Sequence, residues 1–254
     1  MGHSISLLKR KYVWLQGDTD EALAALKEDL VAALPKQKVI ANNRVVISKD
    51  ILAGGEYGVI YRGTFDGNSV AIKQSKSDVE YIKAFLCEIK VTHFIGDHPN
   101  ITVFHGVVLE GIQHRVCLAA FELSAFGNLN FFLKEHDVDD NSGDSKKKIP
   151  RAGVENIPKM ALKQSVLINF CKQIATAMAF IAEKKVVHRD LSTRSILVFQ
   201  NNVVKITDFG MSRKLYDSPN YVQIEQLPIP MPWRWMPDCD FQSLNMHFQK
   251  CSIL

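Results

Sequence analysis

Cysteine is scarce in this chain. Its 254 residues hold five, Cys87, Cys117, Cys171, Cys239 and Cys251. They are odd in number, scattered, and contain no Cys-x-x-Cys pair. That excludes a disulfide framework or a zinc module and fits a reducing compartment. Long apolar runs are missing as well. The richest stretch, 165–182, is broken by Asn169, Lys172 and Gln173, so no bilayer span is expected. No apolar core of a secretory signal follows the start. Neither sign of charge dominates: Lys and Arg total 31, Asp and Glu 27, for a net charge of +4. This is too mild to point to nucleic acid as a partner. Hydrophobic residues at 46% and charged residues at 23% exclude a largely disordered chain. The length admits one large domain or two small ones.

The two ends carry short signals. Met1-Gly2-His3-Ser4-Ile5-Ser6 fits the N-myristoylation pattern, with Gly2 as acceptor and Lys9, Arg10 and Lys11 as a basic second signal. It predicts attachment to the inner face of the plasma membrane, against the plainer reading of a chance match. Cys251-Ser252-Ile253-Leu254 has the C-a-a-X shape, but Ser252 stands where an aliphatic residue is usual. Between them, residues 18–34 read as an amphipathic helix capped by Asp18, with Leu23, Leu26, Leu30 and Leu34 on one face and Pro35 at its end. It is expected to be a packing element outside the main domain.

From about residue 44 the pattern is strand-like. Val45-Val46-Ile47 precedes a glycine-rich turn at 53–58, then Val59-Ile60-Tyr61 and Ser69-Val70-Ala71-Ile72-Lys73. Residues 79–94 read as a helix with Ile82, Phe85, Leu86 and Ile89 in register, and further strands are expected at 102–109 and 115–121. The composition of 134–160, acidic then lysine-rich, marks a solvated insert. A long helix follows. Val166, Phe170, Ile174 and Met178 step by four, widened by Leu167, Cys171 and Ile181. Two short strands, 196–199 and 203–206, enclose a turn at Gln200-Asn201-Asn202.

Four motifs carry chemistry. Gly54-Gly55-Glu56-Tyr57-Gly58 lies between two strands, which disfavours a dinucleotide fold or P-loop and favours a flap over phosphates. Lys73 ends an apolar strand and offers a fixed cation, with Glu88 as the anion to position it. His188-Arg189-Asp190-Leu191 follows the long helix, and Asp208-Phe209-Gly210 comes after the short strands.

In this order these motifs resemble the protein kinase signature set, over about residues 46–236. His98-Pro99-Asn100-Ile101 and Phe121-Glu122-Leu123-Ser124 extend the likeness. The resemblance implies an α+β, bilobal kinase fold. Its β-rich N-lobe would span about 44–121, its hinge 122–127, and a partial helical C-lobe would begin at 128. Residues 1–43 would be an extension and 237–254 a divergent tail. ATP and Mg²⁺ are the implied cofactors. Lys73 would hold the α- and β-phosphates, Glu88 would fix Lys73, and Asp190 would be the base, with Arg194 beside it. Asp208 would bind Mg²⁺. Leu52, Gly54, Gly55, Gly58, Ile60, Ala71, Phe121, Glu122, Ser124 and Leu197 would surround the nucleotide. Ser192 and Arg194 resemble the tyrosine-kinase catalytic loop, and Pro232-Trp233-Arg234-Trp235-Met236 its substrate segment. Proteins with tyrosine are therefore the implied partners, without nucleic acid, in the cytoplasm. The insert and Ile174-Ala175-Thr176-Ala177-Met178 look closest to growth-factor-receptor kinases. Tyr216 and Tyr221 would be regulatory phosphorylation sites, with Arg189 as charge partner.

Several residues depart from that pattern. Ala53 replaces the first flap glycine, and Thr92 stands where an apolar contact is usual. Ser195 occupies the position of the Asn that binds a second Mg²⁺, so it is expected to be a weaker metal ligand. Pro237-Asp238-Cys239 stands in place of A-P-E, and the residues beyond show no further kinase helices. The expectation is a truncated C-lobe. The rival reading is a pseudokinase or regulatory fragment that binds without turnover.

Overall fold

The computed structural model describes residues 20–54, 58–136 and 162–214. Gly2, Gly55, Tyr216, Tyr221, the motif at 232–236, Cys239, the tail and nearly all of the insert lie outside them. The chain divides into two compact units.

The first unit is built on a five-stranded antiparallel sheet. Its strands are β1 (Val45–Gly54), β2 (Gly58–Phe65), β3 (Asn68–Ser75), β4 (Phe104–Val108) and β5 (Leu118–Glu122), in the order β1-β2-β3-β5-β4. β2 and β3 form a hairpin about Asp66 and Gly67, both at positive φ, where glycine carries no Cβ cost. Helix α1 (Asp20–Ala33) and helix α2 (Val79–Ile95) accompany the sheet. The expected register of α2 holds: Ile82, Phe85, Leu86 and Ile89 are all buried. Helix α1 does not lie outside this unit. Leu23, Leu30 and Leu34 share one apolar cluster with those four residues and with Phe104, Val107 and Ala119. Periodicity alone showed an apolar face without showing its partner.

The second unit holds helix α3 (Leu129–His136), helix α4 (Gln164–Glu183), the hairpin β7 (Ile196–Phe199) with β8 (Val203–Ile206), and a small ladder of β6 (Val186–Val187) with β9 (Arg213–Lys214). Phe170, Ala177 and Ile181 of α4 are buried. Leu167 and Cys171, expected to widen that stripe, are exposed. By length and composition α4 is apolar enough to cross a membrane, which the search for unbroken apolar runs did not anticipate. Here its inward face is part of this unit's core. Gln173, read in the sequence as an interruption, bonds to the hairpin. Its side-chain oxygen accepts from Asn100 Nδ2 at 2.8 Å and from the Val204 N–H at 2.9 Å. Its amide nitrogen donates to the Asn202 carbonyl at 2.8 Å.

Candidate active-site residues

In the first unit, β3 places Lys73 between Ile60 of β2 and Ala119 of β5. The side chain is nearly buried, at 11% exposure, and that of Glu88 on α2 is at 5%. The Lys73 ammonium donates to both Glu88 oxygens at 2.7 Å. Two charges taken out of water repay their desolvation poorly, and removing one partner leaves the other stranded at a cost of about 3–5 kcal/mol. Such a pair contributes little to stability, so its presence calls for a chemical reason. It supplies a cation fixed in place by its anion.

The other residues expected near a nucleotide are distributed as follows. Ala71 faces Phe121 across β3 and β5, and the Phe121 ring packs 5.5 Å from that of Phe104. Leu52 and Ile60 are half-buried on β1 and β2, Gly54 is exposed, and Glu122 ends β5 opposite Val70. Gly58 has a second reason to be glycine. It is buried, and a Cβ there would lie 2.2 Å from the Gln74 carbonyl oxygen. Close approach of the β2 and β3 backbones excludes any side chain, whatever the flap does.

In the second unit, Ser124 lies after β5, and its hydroxyl reaches the Val198 carbonyl at 2.7 Å and the Gly127 carbonyl at 3.1 Å. Leu197, half-buried on β7, pairs with Asn128. The loop 188–195 gathers the rest. Asp190 is half-buried, and its Oδ1 lies 3.9 Å from Arg194 Nη2 without accepting a hydrogen bond there. Burial pushes the Asp190 carboxyl above its usual range. The negative charge of Asp208 pushes it further, and Arg194 opposes both. Asp190 and Asp208 thus feel one another. A carboxylate with an unfilled acceptor is suited to take a hydrogen bond from a substrate hydroxyl.

Arg189 and Asp208 both hold left-handed backbone, at φ 70° and 64°. Non-glycine residues avoid that region, and strain of this kind gathers at functional loops. Asp208 is exposed, and its carboxylate is an oxygen donor of the kind that Mg²⁺ prefers.

Ser195 does not match its expected place. It is 2% exposed. Its Oγ accepts the Ser192 N–H at 2.9 Å and reaches the Asp190 carbonyl at 2.8 Å. A short side chain that closes the loop on itself is not presented as a ligand.

Sequence reasoning missed His188 as a site residue, although it opens the motif. The ring is 1% exposed. Its Nδ1 accepts the Asp190 N–H at 3.3 Å, which fixes the tautomer. Nε2–H then donates to the Thr207 carbonyl at 3.0 Å, and the ring packs 5.0 Å from that of Phe209. Ser212 Oγ donates to the His188 carbonyl at 3.1 Å. His188 therefore ties the Asp190 loop to the Asp208 loop. Its place as the first residue of the His188-Arg189-Asp190 motif was the available signal.

Comparison with known proteins agrees with this geometry. The family model described as protein tyrosine and serine/threonine kinase matches residues 46–247. The chain is 28% identical to vascular endothelial growth factor receptor 3 of Danio rerio over 76% of its length and 17% of the receptor's. It is 28% identical to the tyrosine-protein kinase receptor torso of Bombyx mori, over 76% of the chain and 27% of that protein. Human tyrosine-protein kinase Fer is 34% identical over 80% of the chain and 22% of its own length. The chain thus spans about a quarter or less of these relatives. With a family model covering most of its residues, and the buried Lys73–Glu88 pair and the His188-Arg189-Asp190 loop in place, the chain belongs to the protein tyrosine and serine/threonine kinase family.

Proposed function

We propose that this chain is a protein-tyrosine kinase that transfers the γ-phosphate of ATP to tyrosine hydroxyls of proteins. The buried, two-pronged Lys73–Glu88 pair carries the reading. A lysine held this way is a preformed site for phosphate oxygens, and a buried ion pair is weak evidence for a purely stabilising role. Lys73 would bind the α- and β-phosphates. Leu52, Gly54, Gly55, Gly58, Ile60, Ala71, Phe121, Glu122, Ser124 and Leu197 would contact the rest of the nucleotide. Asp190 would accept the hydrogen bond of the tyrosine hydroxyl and orient it, with Arg194 nearby. Asp208 would hold Mg²⁺, which when bound neutralises charge on phosphate oxygens. The choice of tyrosine rests on Ser192 and Arg194 in the catalytic loop and on the tyrosine kinases among the relatives.

The kinase domain is assigned to residues 44–236. A cytoplasmic location follows from the ATP-dependent chemistry. Acylation of Gly2, and control through Tyr216 and Tyr221 with Arg189 as partner, rest on sequence pattern alone. A second reading, a domain that binds nucleotide with impaired turnover, is favoured by one observation: the Ser195 hydroxyl is spent inside the loop.

One experiment separates the two. The purified chain is given ATP, Mg²⁺ and a glutamate–tyrosine copolymer, beside Asp190→Asn and Lys73→Met. Phosphotyrosine formation lost in both variants is the expected result. Thermal stabilisation by the Mg²⁺-bound nucleotide without transfer would replace the first reading by the second. Neither stabilisation nor transfer would overturn both.

A further inference from the structure

Helix α1 lies against the helix that carries Glu88. Leu23 and Leu30 of α1, with Leu34 just past its end, are buried in one cluster with Val79, Ile82, Phe85, Leu86 and Ile89 of α2. Ile89 follows Glu88 and Leu86 lies two residues before it, so this contact bears on the turn that presents the carboxylate to Lys73. A charged pair fixes the register. Lys90 of α2 donates to the Asp29 carboxylate of α1, with side-chain exposures of 36% and 23%. Asp29 adjoins the fully buried Leu30, and Lys90 lies one residue past the fully buried Ile89. The segment after α1 is tied down too. The Ile40 N–H donates to the Val107 carbonyl at 2.8 Å, and the Lys38 ammonium donates to the Phe104 carbonyl. Both acceptors lie on β4, so α1 is anchored at its far end as well as along its face.

We propose that α1 is a positioning element that holds α2 in the orientation where Glu88 engages Lys73. Asp29 and Lys90 are its positioning residues and Leu30 its apolar anchor. The proposal rests on the kinase reading of the Lys73–Glu88 pair. A helix packed on an open sheet face can turn or slide when its outer contacts are lost. The buried pair tolerates no such shift, because a displacement of about 1 Å takes a charge-assisted hydrogen bond outside its range. Contacts made by α1 therefore decide how much of the time Lys73 is held. The alternative is that α1 covers apolar surface and leaves α2 unaffected by its register. The two differ in whether a reversed ion pair restores function.

The test uses the full chain as wild type, Asp29→Lys, Lys90→Asp, the double reversal, and Leu30→Ala. Amide hydrogen exchange is followed over residues 86–91 and over β3 as an internal reference. Phosphate transfer to the tyrosine copolymer is followed in parallel. Each single reversal is expected to speed exchange over 86–91 by about fivefold relative to β3 and to slow transfer by a similar factor. The double reversal is expected to bring both back to within about twofold of wild type. Leu30→Ala should act in the same direction and more strongly. If it unfolds the chain, the charge series, which leaves the core intact, still decides. Single reversals that leave exchange over 86–91 unchanged would overturn the proposal, as would a double variant no better than the worse single. Failure of the kinase reading shows separately: wild-type transfer no greater than that of Asp190→Asn, with exchange over 86–91 still responding to the charge series.

Discussion

Asp190 shows at the level of one residue how chemistry is placed where stability would not put it. Its carboxyl is half-buried, its Oδ1 has no hydrogen-bond donor, and Asp208 repels it. The folded-state pKa is therefore raised above the unfolded value. A raised carboxyl favours folding at low pH, and that advantage is lost as pH rises from the usual carboxylate range through the folded value. At neutral pH the ionised Asp190 thus weighs against the fold. Asp190→Asn is expected to raise the thermal midpoint by a few degrees while abolishing transfer. A lower midpoint in differential scanning calorimetry would contradict this account. Ser195 shows the reverse relation. Its hydroxyl serves the loop's own backbone, and the sequence position alone suggested a metal ligand.

Among the elements, α4 was legible as a helix and only partly legible as a packing surface. Stepping by four identified Phe170 correctly, whereas Leu167 and Cys171 face outward among the described residues. Gln173 carries more of the fold than its neighbours suggest. One side chain meets Asn100, Val204 and Asn202, and Val204 is fully buried. Gln173→Ala leaves the Val204 N–H and the Asn202 carbonyl without these partners, at a cost of about 2–4 kcal/mol. Urea unfolding should show the loss as a lower midpoint with an unchanged slope. Gln173→Glu keeps the acceptor and loses the donor, so it should fall between wild type and alanine. Equal midpoints for all three would mean that water replaces these bonds.

On the scale of the whole molecule, pH reads out the buried histidine. Burial pushes His188 below its ordinary value of 6.5. The unfolded chain then takes up a proton that the folded chain refuses. Stability from this residue is complete above pH 6.5 and is lost as pH falls from there through the lower folded value. Half-buried His105 adds to this trend, and Asp190 opposes it. The comparison is therefore made in the Asp190→Asn background. Between pH 7.5 and 5.5, values set on either side of the ordinary histidine pKa, the midpoint should fall further with His188 than with His188→Gln. Parallel pH profiles would show that the ring is not kept neutral by burial.

The sequence by itself determined the five strands of the first unit, α1, α2, α4, the β7–β8 hairpin and the order of the chemical motifs, but not α3, whose last residues 134–136 read as insert, nor the short β6 and β9. Strand and helix periods are local, and Lys73, Glu88, Asp190 and Asp208 each sit in a motif whose residue types are dictated by the chemistry. Tertiary structure alone decided what each surface meets. An apolar stripe on α1 states that something covers it, without naming α2. A glycine at 58 fits a flap and a tight strand crossing equally well until the Gln74 carbonyl is seen 2.2 Å from where a Cβ would stand. A serine at 195 offers one oxygen, and only the folded loop shows that the Ser192 N–H and the Asp190 carbonyl have taken it. The reason is common to all three. Burial and hydrogen bonding are satisfied between residues far apart in the chain or folded back on one another, and spacing along a sequence does not record which partner is reached first.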